Sequence, residues 1–173
     1  VEEMKKKENY LSHLRSALKH FISNQNIRNL SLINMLNYAL SESAFQFRAI
    51  FINQLWPLWS IGFVSMFSNL GASIGFWFSG KIINKIKPLN TILISGIYSR
   101  FINIIAILMN NLISPVLMIS TSFFYGPAQV STDSLLQKEY SSAHRATMGS
   151  INSFLGSILL GIVSIGVGFL GDK

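Results

Sequence analysis

Apolar residues in this chain gather into five long runs separated by short polar connectors. The runs cover residues 30–55, 58–78, 89–109, 112–132 and 148–170. Each is close to the roughly 20 residues an α-helix needs to cross a hydrocarbon core of about 30 Å. The pattern predicts an all-α integral membrane protein. Ahead of the runs, residues 1–29 form a polar segment expected on the cytoplasmic side. Its first eight residues read as a solvated linker. From Tyr10 to Ser23, Leu11, Leu14, Leu18, Phe21 and Ile22 recur at helical spacing, with Arg15, Ser16, Lys19 and Ser23 on the other side. Such a basic amphipathic helix lies along a membrane surface or against a cytoplasmic protein face.

Composition strengthens the membrane reading. Half of the residues are hydrophobic and only 12% are charged, against roughly 25% charged in a soluble domain. The net charge of +7 could suggest nucleic acid. The basic residues, however, sit at the ends of apolar runs rather than on one patch, which excludes that partner. Eleven of the fourteen lie in residues 1–29, 79–88 and 133–147, whereas the turns at Trp56-Pro57 and Asn110-Asn111 carry no charge. The positive-inside rule therefore makes the basic connectors and the N-terminal end cytoplasmic, in a multi-pass protein of the cell membrane. Trp56 and Trp59 then fall in the outer aromatic belt. The chain opens inside a Lys-rich stretch and stops just after an apolar run, and both ends are expected to be cuts through a longer protein.

The first run is too polar for a passive anchor. Asn34, Asn37, Ser41 and Arg48 share one helical face, and Glu42, Gln46 and Asn53 share a second. Charges within a bilayer are costly unless they meet a partner or a cavity, so Glu42 and Arg48 are candidates for substrate or proton coupling. The plainer alternative is that they hold helices together. Arg100, mid-way along the third run with Gly96, Ser99 and Asn103, is an intramembrane charge that could pair with Glu42. In the fourth run, Gly126-Pro127 predicts a kink that frees backbone carbonyls, followed by Gln129, Ser131, Thr132 and Asp133. Small residues recur every four positions at Gly71, Gly75 and Ser79, and again at Gly149, Ser153, Ser157 and Gly161. Ladders of this kind let helix backbones approach closely. Their recurrence three runs apart suggests equivalent members of two three-helix repeats.

Catalytic patterns are missing. His13, His20 and His144 lie outside the runs without metal-ligand spacing, cysteines are absent, and no glycine-rich phosphate loop or nucleophile elbow occurs. Neither an enzyme nor a cofactor or metal is expected.

These residues resemble the C-terminal half of a major facilitator superfamily transporter, from the linker before its seventh helix through its eleventh. The family's loop pattern, roughly Gly-x-Leu-Ala-Asp-Arg-x-Gly-Arg-Arg, is similar to Gly80-Lys81-Ile82-Ile83-Asn84-Lys85-Ile86-Lys87, with Asn84 in place of the acid and Lys85 in place of the arginine. His144 to Asn152 resembles the entry to the eleventh helix of bacterial drug-efflux members, and Gly168 to Asp172 resembles its exit. The resemblance implies a secondary active transporter that moves a small molecule by alternating access, with drug efflux and proton coupling as family precedents. It further implies that the first and fourth spans line the cavity, placing Asn37, Glu42, Arg48 and Gln129 there. The second and fifth spans would face an N-terminal half missing from this chain, and the third would be peripheral. Two other membrane readings stand beside it. An ABC exporter domain would need helices running far into the cytoplasm, which the short 79–88 connector opposes. A non-catalytic assembly subunit would use its buried charges only as glue.

Overall fold

Asparagine and proline punctuate the helices. Helix α1 spans Glu2–Ser23 and α2 spans Gln25–Leu55. Asn24 separates them, its Oδ1 accepting from the N–H groups of Asn26 at 3.0 Å and Ile27 at 3.3 Å, which caps the otherwise unpaired donors of α2. Pro57 forms the next turn, its carbonyl accepting from Ser60 N–H at 2.9 Å and Ser60 Oγ at 2.6 Å. Helix α3 (Ser60–Ile86) and α4 (Pro88–Met109) are joined by Lys87 alone. Lys87 adopts φ 72° and ψ 151°, and Pro88 occupies the first turn of α4, where a missing N–H costs nothing. Asn110 ends α4 in the left-handed region at φ 43°. After α5 (Ser114–Ser120) comes a 3-10 turn at Thr121–Phe124, then α6 (Tyr125–Glu139) and finally α7 (Arg145–Gly171).

The computed structural model describes residues 2–142 and 144–171, with side chains described at 12, 14–142 and 144–169. The side chains of Lys5, Lys6, Lys7, Leu11 and His13 lie outside the described residues, as do Asp172 and Lys173. The protein is all-helical among the described residues. Three helices are long and apolar enough to cross a membrane: Ser60–Ile86, Pro88–Met109 and Arg145–Phe169. They match the second, third and fifth expected spans. The first expected span is one helix, α2, but Asn34, Asn37, Glu42, Gln46, Arg48 and Asn53 lower its hydropathy below that of a membrane helix. The fourth is broken in two by the 3-10 turn. Pro127 has no N–H to donate to the carbonyl four residues earlier, at Phe123, and the α-helix lapses there.

The connectors are shorter than the polar pattern suggests. Residues 2–8, expected as linker, are the first turns of α1. Gly80, Asn84 and Lys85, expected in a loop, are the closing turns of α3, because nothing between Ser79 and Ile86 breaks a helix before Pro88. Lys138 likewise extends α6 rather than sitting in a loop.

The chain divides into two units, residues 1–45 with 136–173, and residues 46–135. In the first unit Ala17, Phe21, Ile27, Met35, Leu136, Tyr140 and Met148 form one buried cluster, joined by Leu30, Ile151 and Leu159. Helix α1 meets α7 there through Ala17 and Phe21, and Ser16 Oγ lies 3.3 Å from His144 Nε2. Leu14, Leu18 and Ile22, which share the apolar stripe of α1, stay exposed. In the second unit α3 and α4 pack on α5 and the 3-10 turn. Tyr98 Oη meets Ser120 Oγ at 3.0 Å, and its ring lies 4.5 Å from that of Phe124. Trp56 Nε1 donates to the Leu112 carbonyl at 3.0 Å, tying the two uncharged connectors together.

Candidate functional site

The polar positions of α2 fall in both units. In the first, Asn34, Asn37 and Glu42 are half-buried and Ser41 is exposed. Ser31 and Ser43 turn fully inward, and neither hydroxyl meets a hydrogen-bond partner among the described residues. In the second unit Gln46 and Asn53 are exposed, whereas Arg48 turns into the protein. Its Nε and Nη2 are sealed from solvent with no hydrogen-bond partner among the described residues. Those two nitrogens form one edge of the guanidinium fork, the edge that grips both oxygens of a single carboxylate or phosphate. A buried cation left uncompensated costs roughly 3–5 kcal/mol.

Gln129 and Asp133 are neighbours one helical turn apart on α6, and the Gln129 amide donates to both Asp133 carboxylate oxygens at 3.2 Å. Gln129 is thus engaged by a neighbour four residues away, a pairing the sequence reading did not draw. Arg100 is exposed on α4, with its Nη1 lying 3.9 Å from where a Cβ on Gly96 would stand. It folds back along its own helix. Asn103 Nδ2 donates to the Ser99 carbonyl at 2.7 Å on the same helix. Glu42 belongs to the first unit and Arg100 to the second.

The Gly71, Gly75 and Ser79 ladder is buried, and its occupant is the fourth span of the same unit. A Cβ at Gly71 would rest 3.5 Å from the Phe123 ring. At Gly75 it would collide with the Phe123 carbonyl oxygen, the acceptor that Pro127 leaves without its helical donor. From the other side, a Cβ at Gly126 would stand 2.7 Å from the Gly75 carbonyl carbon and 2.8 Å from Phe76 Cα. Two glycines therefore meet backbone to backbone, and the freed carbonyl lies against a Cα, a weakly favourable polar contact. Ser79 donates to the Gly75 carbonyl at 2.8 Å, which removes its own hydroxyl from the interface. Within this unit the broken helix fills the groove along the ladder. Gly126, read in the sequence only as part of a kink, is the second half of the contact.

The ladder on α7 behaves differently. Ser153, Ser157 and Gly161 are exposed, and a Cβ at Gly149 or Gly161 would meet nothing within 4 Å. Within its unit α7 uses the adjacent face: Met148, Asn152 and Gly156 are buried, and a Cβ on Gly156 would lie 3.5 Å from the Tyr38 ring. Sequence reading missed Gly156 because its period of small residues was set one position away. Only one of two adjacent small-residue stripes can face a given neighbour, and Met148 decides which.

Among the described residues, no group of His, Asp or Glu could hold a metal ion. No protein-family model, curated protein or solved structure matches the chain.

Proposed function

We propose that this chain is part of a secondary active transporter, corresponding to the C-terminal half of a major facilitator superfamily protein that moves a small molecule by alternating access. The observation that carries the reading is Arg48, a guanidinium inside a helical membrane protein with one whole edge unanswered. A structural arginine would be paired. An arginine awaiting a transported group would be sealed in one state and opened in another. Support also comes from three membrane-length helices, from the polar faces of α2 and from the proline break in the fourth span. Glu42, with Asn37, is the candidate coupling residue of the first unit, and Arg48, with Gln129, is the candidate substrate residue of the second. Drug efflux in a bacterial membrane is the specific form the resemblance suggests.

Five spans remain the proposed topology, with α2 and the broken α5–α6 pair crossing beside the three apolar helices. Polar helices and interrupted helices cross bilayers where neighbours or a cavity satisfy their backbone. Single cysteines at Lys85 and Asn111 are expected to react with membrane-impermeant reagent from opposite sides, Lys85 from the cytoplasm. Reaction of both from one side would end the five-span topology, and with it the transporter reading.

The open α7 stripe fits the proposed second half, which would approach along Ser153, Ser157 and Gly161. Ser157→Leu is expected to alter stability of the chain by no more than about 0.5 kcal/mol, as for surface positions generally. In the full-length protein it should nonetheless cut transport by blocking close helix approach. Wild-type transport by that variant would show that the stripe faces lipid.

A further inference from the structure

Beyond the transport path, the second unit carries a groove of about 400 Å³ along α3, between that helix and the 3-10 turn. Its walls are Ile74, Phe78, Ile82, Ile86, Phe123 and Phe124, and two lysines, Lys81 and Lys85, complete the lining. No acidic residue lines it. From Ile74 to Ile86 the groove follows twelve residues of helix, about 18 Å, slightly more than half of a roughly 30 Å hydrocarbon core. In the proposed topology its Ile74–Phe78 end lies in the hydrocarbon core, and Lys81 and Lys85, one helical turn apart with Ile82 and Ile86 beside them, stand at the cytoplasmic boundary. The Lys81 ammonium stands 5.6 Å from the centre of the Phe78 ring, a cation–π contact at the edge of the apolar wall.

We infer that this groove binds one anionic phospholipid, its acyl chain along Ile74, Phe78 and Ile82 and its phosphate between Lys81 and Lys85. The occupant follows from charge and depth together. An apolar groove that opens at the membrane boundary accepts a lipid chain, and a basic pair at that boundary selects a negative headgroup. A soluble anion would find no polar partner below the lysines, and a neutral lipid would leave both cations unanswered. The inference rests on the membrane reading of α3 and is independent of transport.

Native mass spectrometry of the full-length protein, released from vesicles of equal phosphatidylglycerol and phosphatidylcholine, tests it. One phosphatidylglycerol per chain is expected to be retained in preference to phosphatidylcholine. The double variant Lys81→Gln/Lys85→Gln should retain it about 30-fold more weakly, given the usual attraction of each lysine for an anionic surface. Lys138→Gln, which removes a charge off the groove, should behave as wild type, whereas Ile82→Trp should displace the lipid without altering charge. A photoreactive phosphatidylglycerol, used on the unaltered protein, should label peptides within 74–86 or at 123–124. Equal retention of both lipids, wild-type retention by the double variant, equal loss in Lys138→Gln, or labelling confined to other helices would each overturn the site.

Discussion

Replacing Gly126 with alanine is expected to destabilise the second unit by about 3 kcal/mol or more, the upper end of what overpacking costs. The methyl would be driven into the backbone of α3 at Gly75 and Phe76, and neither side can yield by rotating a side chain. Gly75→Ala should cost as much, because its methyl meets the Phe123 carbonyl oxygen and, at 3.2 Å, Pro127 Cδ. The two losses should not add. Once the helices are forced apart by one methyl, the second has room, so the double variant should be less destabilised than the sum. Gly161→Ala is the matched control, since its methyl enters open space and helix propensity favours alanine by up to about 1 kcal/mol. Unfolding in mild detergent followed by circular dichroism reads all four. If Gly126→Ala unfolds together with Gly161→Ala, backbone contact between α3 and the broken helix is not what holds this unit.

Transport should fall at least tenfold in Arg48→Met while the protein becomes more stable. The two signs together separate function from structure. An arginine serving as helix glue has a partner, and its loss leaves that partner buried and charged, lowering stability by several kcal/mol. Nε and Nη2 of Arg48 have none among the described residues. An apolar side chain of similar volume should therefore stabilise the fold by roughly 1–4 kcal/mol while removing the fork proposed to receive substrate. Glu42→Gln should act on coupling, abolishing the response to an imposed pH gradient in vesicles while leaving downhill exchange of substrate in place. Two results would refute these roles: a less stable Arg48→Met that still transports, or pH-driven uptake by Glu42→Gln at the wild-type rate. Arg48 would then be a structural residue, or coupling would lie outside this chain.

Much of this protein could be read from periodicity and charge. Runs of apolar residues about twenty long have one solution in a bilayer, because every backbone N–H and C=O must be satisfied within its own segment. Helices α3, α4 and α7 accordingly appear where the runs lie. The capping role of Asn24, the stop at Pro88 and the pairing of Gln129 with Asp133 went unread, although each is short-range and settled by residues within four positions of one another. Loop lengths were less legible. A charged residue such as Lys85 tells which side of a membrane it prefers but not whether its backbone is helical, and α3 continued to Ile86.

What only the tertiary structure decided is which partner each face meets. Glycine ladders on α3 and α7 look alike as sequence, since both place small residues one turn apart. One is filled by the Phe123–Pro127 backbone and the other is open. The difference arises because a groove without side chains accepts whatever backbone can come near. Pro127, fifty-two residues further along the chain from Gly75, is what frees a carbonyl to enter it. The intramembrane charges divide in the same way. Arg48 and Arg100 were equivalent as costly residues in apolar runs, yet Arg100 lies exposed on α4 while Arg48 turns inward with an unanswered fork. Composition and spacing thus determined that this chain belongs in a membrane and where its helices run. Long-range packing determined which of its polar groups are buried, because burial is a property of neighbours and not of position along the chain.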